Sequence, residues 1–95
     1  MYDVIWKDVF VDKLAVKHGV SVEEVEEVLF SKAHFRLVEQ GRVEGEDVYA
    51  AYGQTDGGRY LIIFFIRKHG TAALPISARD MTQAERRYYN ERKTH

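Results

Sequence analysis

The chain contains no cysteine among its 95 residues. Disulfides and thiolate-bound zinc are therefore excluded, and stability must come from packing and hydrogen bonds. Proline occurs once, at Pro75, so the chain is neither a proline-rich linker nor a polyproline ligand. Long apolar runs are also missing. The longest, Leu61 to Ile66, falls far short of the ~20 residues that a membrane-spanning helix needs. The start, Met1-Tyr2-Asp3-Val4, lacks the basic head and apolar stretch of a secretory signal, so the expected location is cytoplasmic. An excess of one charge is lacking as well. The formal net charge of −1 is not that of a strongly basic nucleic-acid binder.

What is present is enough for one small core. Hydrophobic residues make up 45% and aromatics 13%, which argues against disorder. The length fits a single domain, residues 1–95. The near-neutral total hides a segregation. Residues 1–48 hold six Lys/Arg against eleven Asp/Glu, whereas residues 49–95 hold eight against four. Such polarity suits an anionic partner on the C-terminal half, and equally an ordinary clustering of solvated charge.

The hydrophobic pattern predicts an α+β chain in the order α-α-β-β-β-β-α. Val9, Phe10 and Leu14 recur at helical spacing after Asp8, a candidate N-cap, and Gly19 suits the left-handed end of that helix. Ser21-Val22-Glu23-Glu24 reads as a capping box. Val22, Val25, Val28 and Leu29 then form an apolar stripe, with Glu23, Glu24, Glu26 and Glu27 on the solvated side. Strands follow at His34 to Val38, at Val48 to Tyr52, at Arg59 to Arg67 and at Thr71 to Ala78. The third is apolar on both faces and so should be central, and Thr55-Asp56-Gly57-Gly58 should turn the chain before it. Pro75 points to an edge or a bulge in the last strand. Thr82-Gln83-Ala84-Glu85 opens a final helix that runs to about Lys93. The expected sheet is thus an antiparallel four-stranded meander flanked by helices.

Several chemistries leave no mark. The histidines at 18, 34, 69 and 95 make no His-x-x-x-His pair, so no metal site is implied, and no Walker loop, dinucleotide fingerprint or Gly-x-Ser-x-Gly elbow is present. No cofactor is expected. The arginines are more informative. Arg59 and Arg67 bracket the central strand, Arg79 closes the last strand, and Arg86 and Arg87 stand in the final helix. Guanidinium forks match phosphate oxygens, and Tyr49, Tyr52, Tyr60, Tyr88 and Tyr89 offer faces on which bases can stack. The same residues also read as ordinary surface arginines and half-buried tyrosines.

Three stretches, in order, carry a family resemblance. They are Lys17-His18-Gly19-Val20-Ser21 running into Glu23-Glu24, then Tyr52-Gly53-Gln54-Thr55 through Gly58-Arg59-Tyr60-Leu61, then Ile76-Ser77-Ala78-Arg79-Asp80-Met81-Thr82 with Glu85-Arg86-Arg87. Together with Trp6 they resemble the BrnT family of type II toxins, across nearly the whole chain. The resemblance implies a compact fold related to the RelE ribonuclease toxins and metal-independent RNA cleavage. It also implies neutralisation by a small antitoxin, with operator DNA bound only through that antitoxin. A homodimer stays open, and no membrane is involved. Under the resemblance, Arg79 is the phosphate clamp, and Lys17 and His18 are further catalytic candidates, His18 having an ordinary pKa near neutrality. Arg59, Arg67, Arg86 and Arg87 would position the RNA backbone. The chain departs from the family pattern at Lys7, Phe10, Leu14 and Leu74. The alternative reading is accordingly a catalytically impaired member that acts as a protein- or RNA-binding module.

Overall fold

A computed structural model describes residues 3–17, 19–43, 45–68 and 72–93 of the chain. Its elements are β1 (Asp3–Val4), α1 (Asp8–Lys17), α2 (Val22–Phe30), β2 (His34–Glu39), β3 (Val48–Gln54), β4 (Tyr60–Arg67), β5 (Ala72–Asp80) and α3 (Gln83–Lys93). The strands form one sheet in the order β1-β5-β4-β3-β2. From β2 to β5 the neighbours are antiparallel, and β4 is the middle strand.

The sheet is mixed and five-stranded, which corrects the expected four-stranded antiparallel meander. The added strand is β1, which runs parallel to β5 with Asp3 opposite Ala72 and Val4 opposite Ala73. The Ile5 N–H continues this pairing by donating to the Ala73 carbonyl at 2.8 Å. Two residues are too few to show a strand's period of two, so nothing in the pattern announces β1. Pro75 sits at an irregularity: Phe64 opposes Ser77 and Phe65 opposes Pro75, so Ile76 is the extra residue of a bulge. A residue without an N–H fits there because the ladder is already interrupted.

Local chemistry sets the element ends. Gly19 has φ of +59°, as a helix-ending glycine should, and the Val20 N–H reaches back to the Leu14 carbonyl. Asp8 is not the cap of α1. The Phe10 and Val11 N–H groups both donate to the Lys7 carbonyl, which leaves Asp8 within the first turn, where its charge suits the helix dipole. Both capping boxes form. The Glu24 N–H donates to Ser21 Oγ at 3.1 Å while the Ser21 N–H donates to Glu24 Oε1 at 3.0 Å, and Thr82 and Glu85 repeat the exchange. Between β3 and β4 the Gly58 N–H donates to the Thr55 carbonyl, and Gly58 takes the left-handed φ of +91° that the tight hairpin requires.

The sheet has a helix-bearing layer on each face. On one face α1 and α2 bury Phe10, Leu14, Val25, Val28 and Leu29 against Ala51, Leu61, Ile63 and Phe65. On the other, α3 lays Tyr89 over Ala50, Tyr52, Ile62 and Met81. This double coverage is why β4 is apolar at consecutive positions. The acidic side of α2 is less solvated than its pattern suggests. Trp6 Nε1–H donates to Glu26 at 3.1 Å, the Asp56 N–H donates to Glu27 at 2.9 Å, and Glu24 caps its own helix while pairing with Arg59. No helix among the described residues is long and apolar enough to cross a membrane.

Candidate functional site

Strand register places chemistry on the α3 face. His34, Tyr52, Ile62 and Arg79 are aligned as Cα partners across β2, β3, β4 and β5. Partners in an antiparallel ladder point to the same face, so these four side chains form one row. The next row on that face is Arg36, Ala50, Phe64 and Ser77. Between the rows lies an open cleft of about 210 Å³, with Tyr52, Ile62 and Phe64 as its floor, Arg36 on one side and Glu85 on the other.

Arg79 is already oriented beside the cleft, through Glu85, which lines it. Its two terminal nitrogens donate to the two Glu85 oxygens at 2.7 and 2.9 Å, and one of them also reaches the Asp80 carbonyl at 3.2 Å. The guanidinium carbon lies 5.5 Å from the Phe64 ring centre. The Arg79 fork, together with the Thr82 N–H and hydroxyl, holds the Glu85 carboxyl at about 2, well below its usual 4.5. Glu85 is thus a fixed anion at any physiological pH and far too weak a base to take a proton from a hydroxyl.

A second cluster closes the β2 side. His34 Nε2 is hydrogen-bonded to the Tyr88 hydroxyl at 2.9 Å. Arg92 lies 3.6 Å from the Tyr88 ring centre and Arg36 lies 5.2 Å from it, so the tyrosine sits between two cations. Burial lowers the His34 pKa below 6.5, and the charges of Arg92 and Arg36 lower it further. At neutral pH the imidazole is therefore uncharged and able to accept a proton.

The residues singled out from sequence separate in space. Arg79 is paired with Glu85, which lines the cleft. Arg86 stacks over Tyr60 at 4.1 Å, and Arg87 is exposed on α3. Arg59 makes a structural clamp: it donates to both Asp80 oxygens at 2.8 and 3.1 Å, to the Gly19 carbonyl at 2.8 Å and to Glu24 at 3.2 Å. It thereby ties the α1–α2 turn to the end of β5. Arg67 is exposed at the opposite end of β4 from Arg59. Lys17 ends α1, and His18 lies outside the described residues. Tyr52, Tyr60, Tyr88 and Tyr89 share the α3 face, whereas Tyr49 stacks on Phe65 beneath the other.

Three departures from the family pattern also find their places. Phe10 and Leu14 are buried in the core under α1, on the face away from the cleft. Leu74 lies in a groove with Val9, Pro75 and Ile76 between α1 and β5. None of the three borders the cleft. Sequence reasoning passed over His34 and Arg36 as a pair. The signal was available: residues two apart in a short strand face the same way.

Chemically, the face combines a neutral imidazole, oriented guanidinium groups and an aromatic floor. That set can bind a phosphodiester and move a proton. No curated protein matches the chain. The model of the family described as the ribonuclease toxin, BrnT, of type II toxin–antitoxin system matches residues 6–85.

Proposed function

Since the chain belongs to the BrnT family of ribonuclease toxins of type II toxin–antitoxin systems, we propose that it cuts RNA in the cleft on the α3 side of its sheet, without a metal. The observation that carries this reading is the cleft itself, with Arg36 on one side, the Arg79–Glu85 pair on the other and Tyr52 and Phe64 beneath. A base can stack on Phe64, the half-buried ring of the floor, while the phosphate beside it meets guanidinium on either hand.

In the proposed reaction a ribose 2′-hydroxyl oxygen attacks the adjacent phosphorus. His34 takes the hydroxyl proton, the bond to the 5′-oxygen breaks, and that oxygen leaves with a proton from an acid or water. The products are a 2′,3′-cyclic phosphate and a 5′-hydroxyl end. Arg79 stabilises the charge that grows on the phosphoryl oxygens, because it is held flat and aimed before substrate arrives. An incoming phosphate competes with Glu85 for its N–H groups. Arg86 and Arg92 extend the cationic track along α3, and Arg87 adds an exposed charge on the same helix. Lys17 and His18 remain candidates from the sequence, and Arg59 fastens nearby Gly19 to the end of the sheet that carries Arg79. Kinship with the RelE toxins, a cytoplasmic site of action and contact with operator DNA through the antitoxin alone belong to the same proposal.

The test is expression of the chain alone and as Arg79→Ala. Growth arrest with degraded RNA for wild type, both lost in the variant, is the expected result. Intact RNA with wild-type chain present would favour a member that binds without cutting. Equal cutting by the variant would remove Arg79 from the mechanism.

A further inference from the structure

A type II toxin has an antitoxin partner, and the outer edge of the sheet indicates where part of it sits. β2 is the outermost strand, so one of its edges has no neighbouring strand among the described residues. Open edges are normally blunted, because they accept strands from other molecules. The opposite side of the sheet follows that rule: β1 covers the first residues of β5, and Pro75 with the Ile76 bulge interrupts the rest. The regular part of β2, His34 to Leu37, has neither device, and its own irregularity comes only after Leu37.

The side chains of β2 differ by face. Phe35 and Leu37 are 39% and 49% exposed, on the face that α1 and α2 cover elsewhere in the sheet. Arg36 lies on the α3 face, where Arg92 shares the Tyr88 ring with it. A strand added here would therefore meet apolar surface on one side and positive charge on the other. A second copy of this chain fits poorly. Antiparallel self-pairing centred on this run keeps the faces in common and sets Arg36 against Arg36 of the copy, and like charges opposite one another are destabilising.

We infer that an extended segment of the antitoxin, with apolar and acidic side chains in alternation, pairs with the free edge of β2. Backbone hydrogen bonds supply affinity, and the alternating side chains supply specificity. The partner's existence follows from family membership. The consequence rests on the cleft proposed above: a strand on β2 beside Arg36 and His34 closes the cleft's β2 side against RNA.

The test uses the complex co-purified with the antitoxin encoded beside this chain, and compares it with the chain alone. Amide hydrogen exchange across Phe35–Leu37 should slow about tenfold or more in the complex. Arg36→Glu and Phe35→Lys should each weaken the complex about tenfold or more. Phe35 packs edge-on against Phe65, so that variant is compared only if its melting temperature holds. Arg36→Glu keeps the test decisive otherwise. Unchanged exchange in the complex, or wild-type affinity in Arg36→Glu, would overturn the inference. So would protection of β2 in the isolated chain that grows with concentration, because it would assign the edge to a second copy. No readout depends on RNA cleavage, so an error about the nuclease cleft would leave the result standing.

Discussion

At the scale of the residue, the Arg79–Glu85 pair gives the fold a pH signature. The Glu85 carboxyl titrates at about 2 in the folded chain, against about 4.5 when unfolded. The unfolded state therefore binds the proton first. The pair's contribution is complete above about pH 4.5 and is lost as the pH falls toward 2. It amounts to about 2 kcal/mol after allowance for solvent screening of a half-exposed arginine. Melting followed by circular dichroism should show the wild type losing stability across that window, and Glu85→Gln should show a correspondingly flatter profile. An identical slope in the two would mean the ion pair does not hold in solution. His34 has a different pH signature. With its pKa lowered beneath 6.5 by burial and by Arg92 and Arg36, the imidazole should be in its basic form throughout the neutral range. Cleavage should accordingly stay level around pH 7 and fall only at more acidic pH. His34→Ala should lose most activity together with that acid limb. A rate that declines between pH 8 and 7 in wild type, as about one tenfold step per unit, would point to a different base.

At the scale of the element, the close approach of α2 to β3 holds the scaffold together. A Cβ on Gly53 would stand 2.8 Å from Val28 Cγ1, so the glycine is what lets the helix lie on the strand. Gly53→Val should push α2 outward and cost about 1–3 kcal/mol, read as a lower urea midpoint. The elements were largely legible because their signals are local. The capping boxes at Ser21 and Thr82, Gly19 at the end of α1 and the apolar run of β4 each state their structure within a few residues. β1 was not legible, since its pairing with β5 is a long-range event with no periodic trace. The site was legible only in part. Arg79 and Arg86 stand out in the sequence as candidates, the first from the motif and the second from its place on a basic helix. Arg59 could not be separated from them, because nothing in its neighbours announces Asp80, Glu24 and the Gly19 carbonyl as its partners. His34 and Arg36 became candidates only when β2 was set beside β3 and under α3.

At the scale of the whole molecule, the charge segregation along the chain becomes a segregation across the sheet. The glutamates of α2 lie over one face and several of them are tied to Trp6, Asp56 and Arg59. The arginines of α3 lie over the other, interleaved with Tyr60 and Tyr88. A net charge of −1 therefore says little about what the α3 face attracts. On the proposed function, α1 and α2 are a support and the β2–β5 surface under α3 is the working face. Arg36 tests that claim most directly, since the motif does not single it out and only the folded sheet brings it to the cleft. The deciding measurement is the single-turnover cleavage rate of a short single-stranded RNA by wild type and by Arg36→Ala, at equal melting temperature. A fall of about tenfold or more is predicted, as for loss of a charged group beside the reacting phosphate. A variant that cuts at the wild-type rate would contradict the account and move the working face elsewhere.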